Sequence, residues 1–226
     1  MTLFSQEKTD KNTFHFFSAA RLGAAMLIGV IAVAGFSFFR GMSAFAKECG
    51  DIRQSVLRLH ILANSDSDED QALKLMVRDR ILELDSELFG KTEQAGALDQ
   101  AEESVREKLD EIEQAAEEEV RRRGYDYPVH AELVNMYFST REYDDFVMPA
   151  GRYDALRITI GEGKGHNWWC VLYPPLCLPA AENQQGLEEL LTEEQAKIVF
   201  GQEKYRFRFA AVELWESIRQ HLFDVS

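Results

Sequence analysis

Positive charge is what this sequence has least of: 25 Lys and Arg stand against 39 Asp and Glu, a net charge of -14. Such a chain repels phosphate backbones instead of releasing their counterions, which excludes nucleic acid as a partner class. Cysteine occurs only three times in 226 residues, too rarely for a disulfide scaffold and often enough for one bridge. No internal repeat is visible, so solenoid and propeller architectures drop out. Two motifs begin and are not completed. "GEGKG" at 161–165 lacks the Ser or Thr and the helix that a phosphate loop needs after Lys164, and reads as a glycine-rich hairpin loop requiring positive φ. Asp66, Asp68 and Asp70 alternate like calcium ligands, but Gln71 and Val77 stand where the pattern demands Gly and Glu. Those acids suit a helix N-terminus better, and no metal or cofactor is expected.

What is present begins with a long apolar run. "LGAAMLIGVIAVAGFSFF", residues 22–39, carries no charge and is flanked by Arg21 and Arg40. As a helix it reaches about 27 Å, against a hydrocarbon core of about 30 Å. It enters a membrane. Ala44 and Ala46, followed by Lys47, form a signal-peptidase pattern, while the length of the run also suits an uncleaved anchor. Residues 1–46 are therefore expected to be a signal peptide or anchor. Residues 47–226 form one exported domain with a charge of -16. Outside the cytoplasm Cys170 and Cys177 are the natural disulfide pair, because Pro174-Pro175 bends the chain between them. Closing that short loop is worth roughly 2.5 kcal/mol. Cys49 is left over, and no small residues precede it as a lipidated cysteine would require.

In the exported part "SVLRLHILANS" alternates like a strand, and apolar residues from Leu73 to Leu88 recur at helical spacing behind the acidic cap. A second amphipathic helix spans about 98–123, with Gly124 as its stop. "HAELVNMYFS", "DALRITI" and "NWWCVLY" suggest an antiparallel meander, and "KYRFRFA" a further strand. The segment 180–201 reads as partly helical. A terminal helix should turn Val212, Trp215, Ile218 and Leu222 inward. The expected fold class is α+β: an antiparallel sheet with amphipathic helices on one face, preceded by the signal or anchor helix.

Chemistry is thin. His166 and Cys170, on one strand, would lie about 13 Å apart, beyond the reach of a base and its nucleophile. His60, Asp66 and Glu162 could serve an exported cell-wall hydrolase only if the fold made them converge. Trp168 and Trp169 point to opposite faces of a strand, which leaves one for the core and its neighbour for a partner.

Two stretches carry a specific resemblance: "LRLHILANSDSDEDQALKLMVRD", 57–79, and "DFVMPAGRYDALRITIGEGKGHNWWCVLYPPLC", 145–177. In order and detail they resemble the stage II sporulation protein R family of endospore-forming bacteria. The resemblance implies a forespore protein exported into the space between the two membranes of the sporangium. There it would trigger a membrane-embedded aspartyl protease that matures a pro-sigma factor, acting as a signal and not as an enzyme. It maps a partner-binding role onto His60, Asn64, Ser65 and Asp66 in the first stretch. In the second it maps that role onto Pro149, Gly151, Tyr153, Arg157, Glu162, Gly163, Lys164, Asn167, Trp168 and Trp169.

Overall fold

The computed structural model describes residues 6–88, 97–143, 146–174 and 191–223. The chain divides into two compact units, Met1–Ala46 and Lys47–Ser226. In the first, helix α1 (Gln6–Arg53) carries the apolar run, and an 18-residue window within Gly23–Arg53 reaches a mean hydropathy of 1.8. That stretch is long and apolar enough to cross a membrane, so the chain carries a signal or anchor helix. The helix runs unbroken through Ala46 and Lys47 and ends at Arg53 in the second unit.

The second unit is built on four strands: β1 (Leu57–Leu62), β2 (Val129–Phe138), β5 (Gly151–Ile160) and β6 (Asn167–Tyr173), in the order β2-β5-β1-β6. A two-residue pair, β3 (Arg141–Glu142) and β4 (Val147–Met148), forms a separate ribbon. The sheet is mixed. β2 and β6 run antiparallel to their neighbours, but β1 and β5 are parallel, with His60 opposite Arg157. The antiparallel meander fails here for a topological reason. Strand alternation is blind to direction, and the helices after β1 return the chain so that β5 enters the sheet between β2 and β1.

Those helices are α2 (Asp68–Leu88), α3 (Ala97–Glu107) and α4 (Leu109–Arg122). Asp68, Glu69 and Asp70 occupy the first turn of α2, and the Ser67 hydroxyl accepts the Asp70 N–H at 3.2 Å, as expected of a cap. The helix read as continuous over 98–123 is two, broken at Lys108. Gly124, at φ 88°, stops α4. One sheet face and these helices enclose the main core, in which Leu57, Leu59 and Ile61 of β1 join Leu156 and Ile158 of β5, Cys170 and Leu172 of β6, and Leu73, Val77, Ile112 and Val120 of the helices. Each fully buried aliphatic side chain there contributes about 1.5–3 kcal/mol.

Helices α5 (Glu193–Phe200) and α6 (Gln202–Phe223) end the described chain. Thr192 and Gln195 make a reciprocal capping box at α5. Two expectations are corrected in α6. "KYRFRFA" is helical, since alternation over seven residues was outvoted by an unbroken run of helix formers. Phe209, Val212 and Glu216 face inward, whereas Trp215 is 62% exposed and Ile218 43%. The burial of Leu222 lies outside the described residues, and so does Cys177, the expected disulfide partner of Cys170.

Candidate functional site

The two motif stretches meet at one end of the sheet, where β1 runs out beside the loop from β5 to β6. This loop is no hairpin, because β1 lies between the strands it joins. It crosses the end of β1 and is fastened to the chain leaving that strand. Lys164 and Gly165 donate backbone N–H groups to the carbonyls of Asn64 (3.2 Å) and Ala63 (2.9 Å). Asn64 bridges both sides: its Oδ1 accepts the Glu162 N–H at 3.0 Å, and its Nδ2 donates to Asp70 at 2.8 Å. Such closeness dictates the glycines. A Cβ at Gly165 would lie 2.1 Å from the Ser65 carbonyl oxygen, and one at Gly161 would lie 2.2 Å from Asn64 Oδ1. Gly161 (φ 58°) and Gly163 (φ 61°) also adopt the left-handed backbone expected of this turn.

Asp70 anchors the clamp from within. Its carboxylate accepts from Ser65 Oγ at 2.6 Å and from Asn64. Burial opposes its charge, but the Ser65, Asn64 and Tyr127 donors outweigh burial and hold its carboxyl below the usual range. Lys74, 5% exposed, donates to the His166 carbonyl at 2.9 Å, and burial lowers its ammonium pKa. Asp66 accepts both the backbone N–H of His166 and a hydrogen bond from its ring Nδ1. Thus Asn64 and Asp66, mapped as partner-binding, spend their side chains on the loop itself, and Ser65 spends its own on Asp70, which holds Asn64.

On the sheet face away from α2–α4, His60 and Trp169 sit directly opposite each other on β1 and β6. Their rings stack at 3.9 Å and 5°, with Phe138 edge-on to both. His60 is 3% exposed, and among the described residues neither ring nitrogen has a hydrogen-bond partner of good geometry. Burial, aided by the nearby Arg157 cation and opposed by Asn167, pushes its pKa down to about 4. Beneath lies Arg58, wholly buried, donating to the Cys170 carbonyl (3.0 Å) and Tyr143 Oη (2.8 Å), with its guanidinium over Phe138 and Tyr153. Trp168 takes the opposite face, packs against the main core and carries Arg78 over its ring at 4.4 Å. Asp66, Arg141, Lys164, Gly165, His166, Asn167 and Trp169 line an open depression of about 430 Å³.

The remaining mapped residues are structural in their contacts. Tyr153 donates its hydroxyl to the Pro149 carbonyl at 2.5 Å, both residues being buried. Gly151 leaves room for Arg53, which donates to the Ala150 carbonyl at 2.8 Å and pairs with Glu216. Arg157 pairs with Glu132 across β5 and β2, and Glu162 with Lys164. Among the described residues His60, Asp66 and Glu162 do not join in a catalytic network: Asp66 serves His166, Glu162 serves Lys164, and His60 is stacked on Trp169. Sequence reading took Asp70 only as an acid of the helix N-terminus and missed Arg141. Asp70 was legible as the third helical residue behind a Ser67 cap, whereas Arg141 lies outside both motifs in a two-residue strand that no periodicity signals.

The fold and the site define a mixed α+β domain that carries a loop surface braced by both motif stretches. The family model of stage II sporulation protein R matches residues 53–183, and the chain belongs to that family. It is 38% identical over 146 residues to "Stage II sporulation protein R" of Bacillus subtilis (strain 168), an alignment covering 65% of this chain and 64% of that protein. The chain thus matches less than two thirds of that relative's length. No solved structure matches it. Family membership places the chain in sporulation.

Proposed function

We propose that the chain is an exported signalling protein of sporulation that docks onto the extracytoplasmic domain of a membrane-embedded aspartyl protease. Docking takes place in the space between the two membranes of the sporangium and triggers the protease to mature a pro-sigma factor. One observation carries this reading. Both family motifs are spent on building a single rigid loop surface around Trp169 and Lys164, and the groups available for catalysis are engaged separately. Rigidity favours recognition, because a preordered loop loses little entropy on binding. Activation by docking further requires that the surface bind the active arrangement of the protease better than the resting one. In this scheme a Cys170–Cys177 bridge fastens the far end of β6.

The test co-expresses the full chain with the protease and its pro-sigma substrate in a host lacking other sporulation proteins. Maturation is expected with the native chain and is expected to be lost with Trp169→Ala or Lys164→Ala while export continues. Normal maturation with both variants would refute the surface, and hydrolysis of wall material by the purified chain would refute the signalling role.

A further inference from the structure

The charges of the open depression do not cancel. Of its two acidic and basic pairs, Asp66 is bound to His166, and Lys164, on the rim, is bound to Glu162. Next to them on the same sheet face Arg157 is balanced by Glu132. Arg141 is the exception. It is exposed, lines the depression, and has no carboxylate or other hydrogen-bond acceptor for its side chain among the described residues. Its guanidinium lies over the Trp169 ring, 5.3 Å from the centroid, and that ring is itself stacked on His60. An arginine seated on an aromatic surface is held in place without using its N–H donors, which then match a carboxylate bidentately.

The background sharpens the contrast. In a chain of net charge -14 a positioned cation beside an indole, with no carboxylate partner among the described residues, is a local reversal of sign. Two further basic side chains lie under the same face, yet neither competes for the role: Arg58 is wholly buried among aromatic rings, and His60 is held neutral by burial. From this arrangement we infer that the depression receives an acidic side chain of the protein partner, with Arg141 as its ion-pairing group and Trp169 as the apolar wall. The inference rests on the docking reading above and names its chemistry: an Asp or Glu on the partner, presented on a projecting segment that fits an open depression of about 430 Å³.

The experiment uses the full chain, co-expressed with the protease, solubilised in mild detergent and pulled down at low and at about 0.5 M salt. Arg141→Glu is expected to weaken capture by about tenfold or more, and capture of the native chain is expected to fall with salt. Arg141 is exposed, so secretion and melting temperature of the variant should match the native chain. Lysine substitutions of exposed Asp and Glu in the protease domain are then paired with Arg141→Glu. Restoration by one of them identifies the carboxylate and separates ion pairing from a merely structural loss of the Trp169 stack. Native-like capture of Arg141→Glu, or failure of every reversal to restore it, overturns the acidic contact. If Trp169→Ala loses capture while Arg141→Glu retains it, only this inference falls. If both retain it, the docking surface falls as well.

Discussion

Two side chains decide how the loop surface responds to change, and they do so by different physics. His60 lies flat against Trp169, buried and, among the described residues, without a hydrogen-bond partner of good geometry, with a pKa pushed down to about 4 from an ordinary 6.5. Its neutral form is the one the fold accepts. The stability this contributes is fully present above pH 6.5 and is lost as pH falls through 6.5 toward 4, because the unfolded chain takes up the proton first. Chemical denaturation should therefore show a decline of roughly 1.5 kcal/mol between pH 6.5 and 5. His60→Leu should flatten that interval, while Asp70 and Glu119, whose carboxyls are held low, act only at lower pH. Asn64 works through geometry: its amide holds the Glu162 N–H on one side and Asp70 on the other. Asn64→Ala leaves both without that partner. It should cost about 1–3 kcal/mol and speed amide hydrogen exchange at 162–165, measured by mass spectrometry.

Among the secondary-structure elements, α6 separates what sequence reveals from what it hides. Its helical phase was legible from Val212 onward. The side facing inward was not, because Phe207, Leu214, Trp215 and Ile218 offer a second apolar stripe as good as that of Phe209 and Val212. Only tertiary packing chooses between two such stripes, and the Arg53–Glu216 pair, with Glu216 buried, fixes the choice. Accordingly Phe209→Ala should lower stability by about 3–5 kcal/mol, whereas Trp215→Ala should stay within about 0.5 kcal/mol, read from urea midpoints at unchanged m. Strands β1, β2, β5 and β6 were visible from alternation, but direction was not, since a parallel and an antiparallel neighbour ask for the same pattern. The site was legible as two motifs. That Asn64 and Asp66 support the loop could not be read off, because their partners in it lie about a hundred positions away along the chain.

For the whole molecule the governing question is where residues 47–226 reside. The charges beside the apolar helix are nearly symmetric, Lys8, Lys11 and Arg21 on one side against Arg40, Lys47 and Arg53 on the other, so charge bias does not orient it. In the proposed export the Ala44, Ala46 and Lys47 pattern supplies the direction, and a cut there is expected to be harmless to residues 47–226. Arg53, which secures the Ala150 carbonyl and Glu216, lies beyond the cut, as do all of the main core residues. A phosphatase fused after Ser226 should thus be active only when residues 1–46 are intact, and the released protein should begin at Lys47 by mass spectrometry. The released form should melt cooperatively at a temperature unchanged when Cys49, a buried thiol whose pKa burial raises to about 12, is replaced by Ala or Ser of similar size. An inactive phosphatase fusion on the intact chain would place the domain in the cytoplasm, out of reach of an extracytoplasmic partner, and the docking model would fail at its first step.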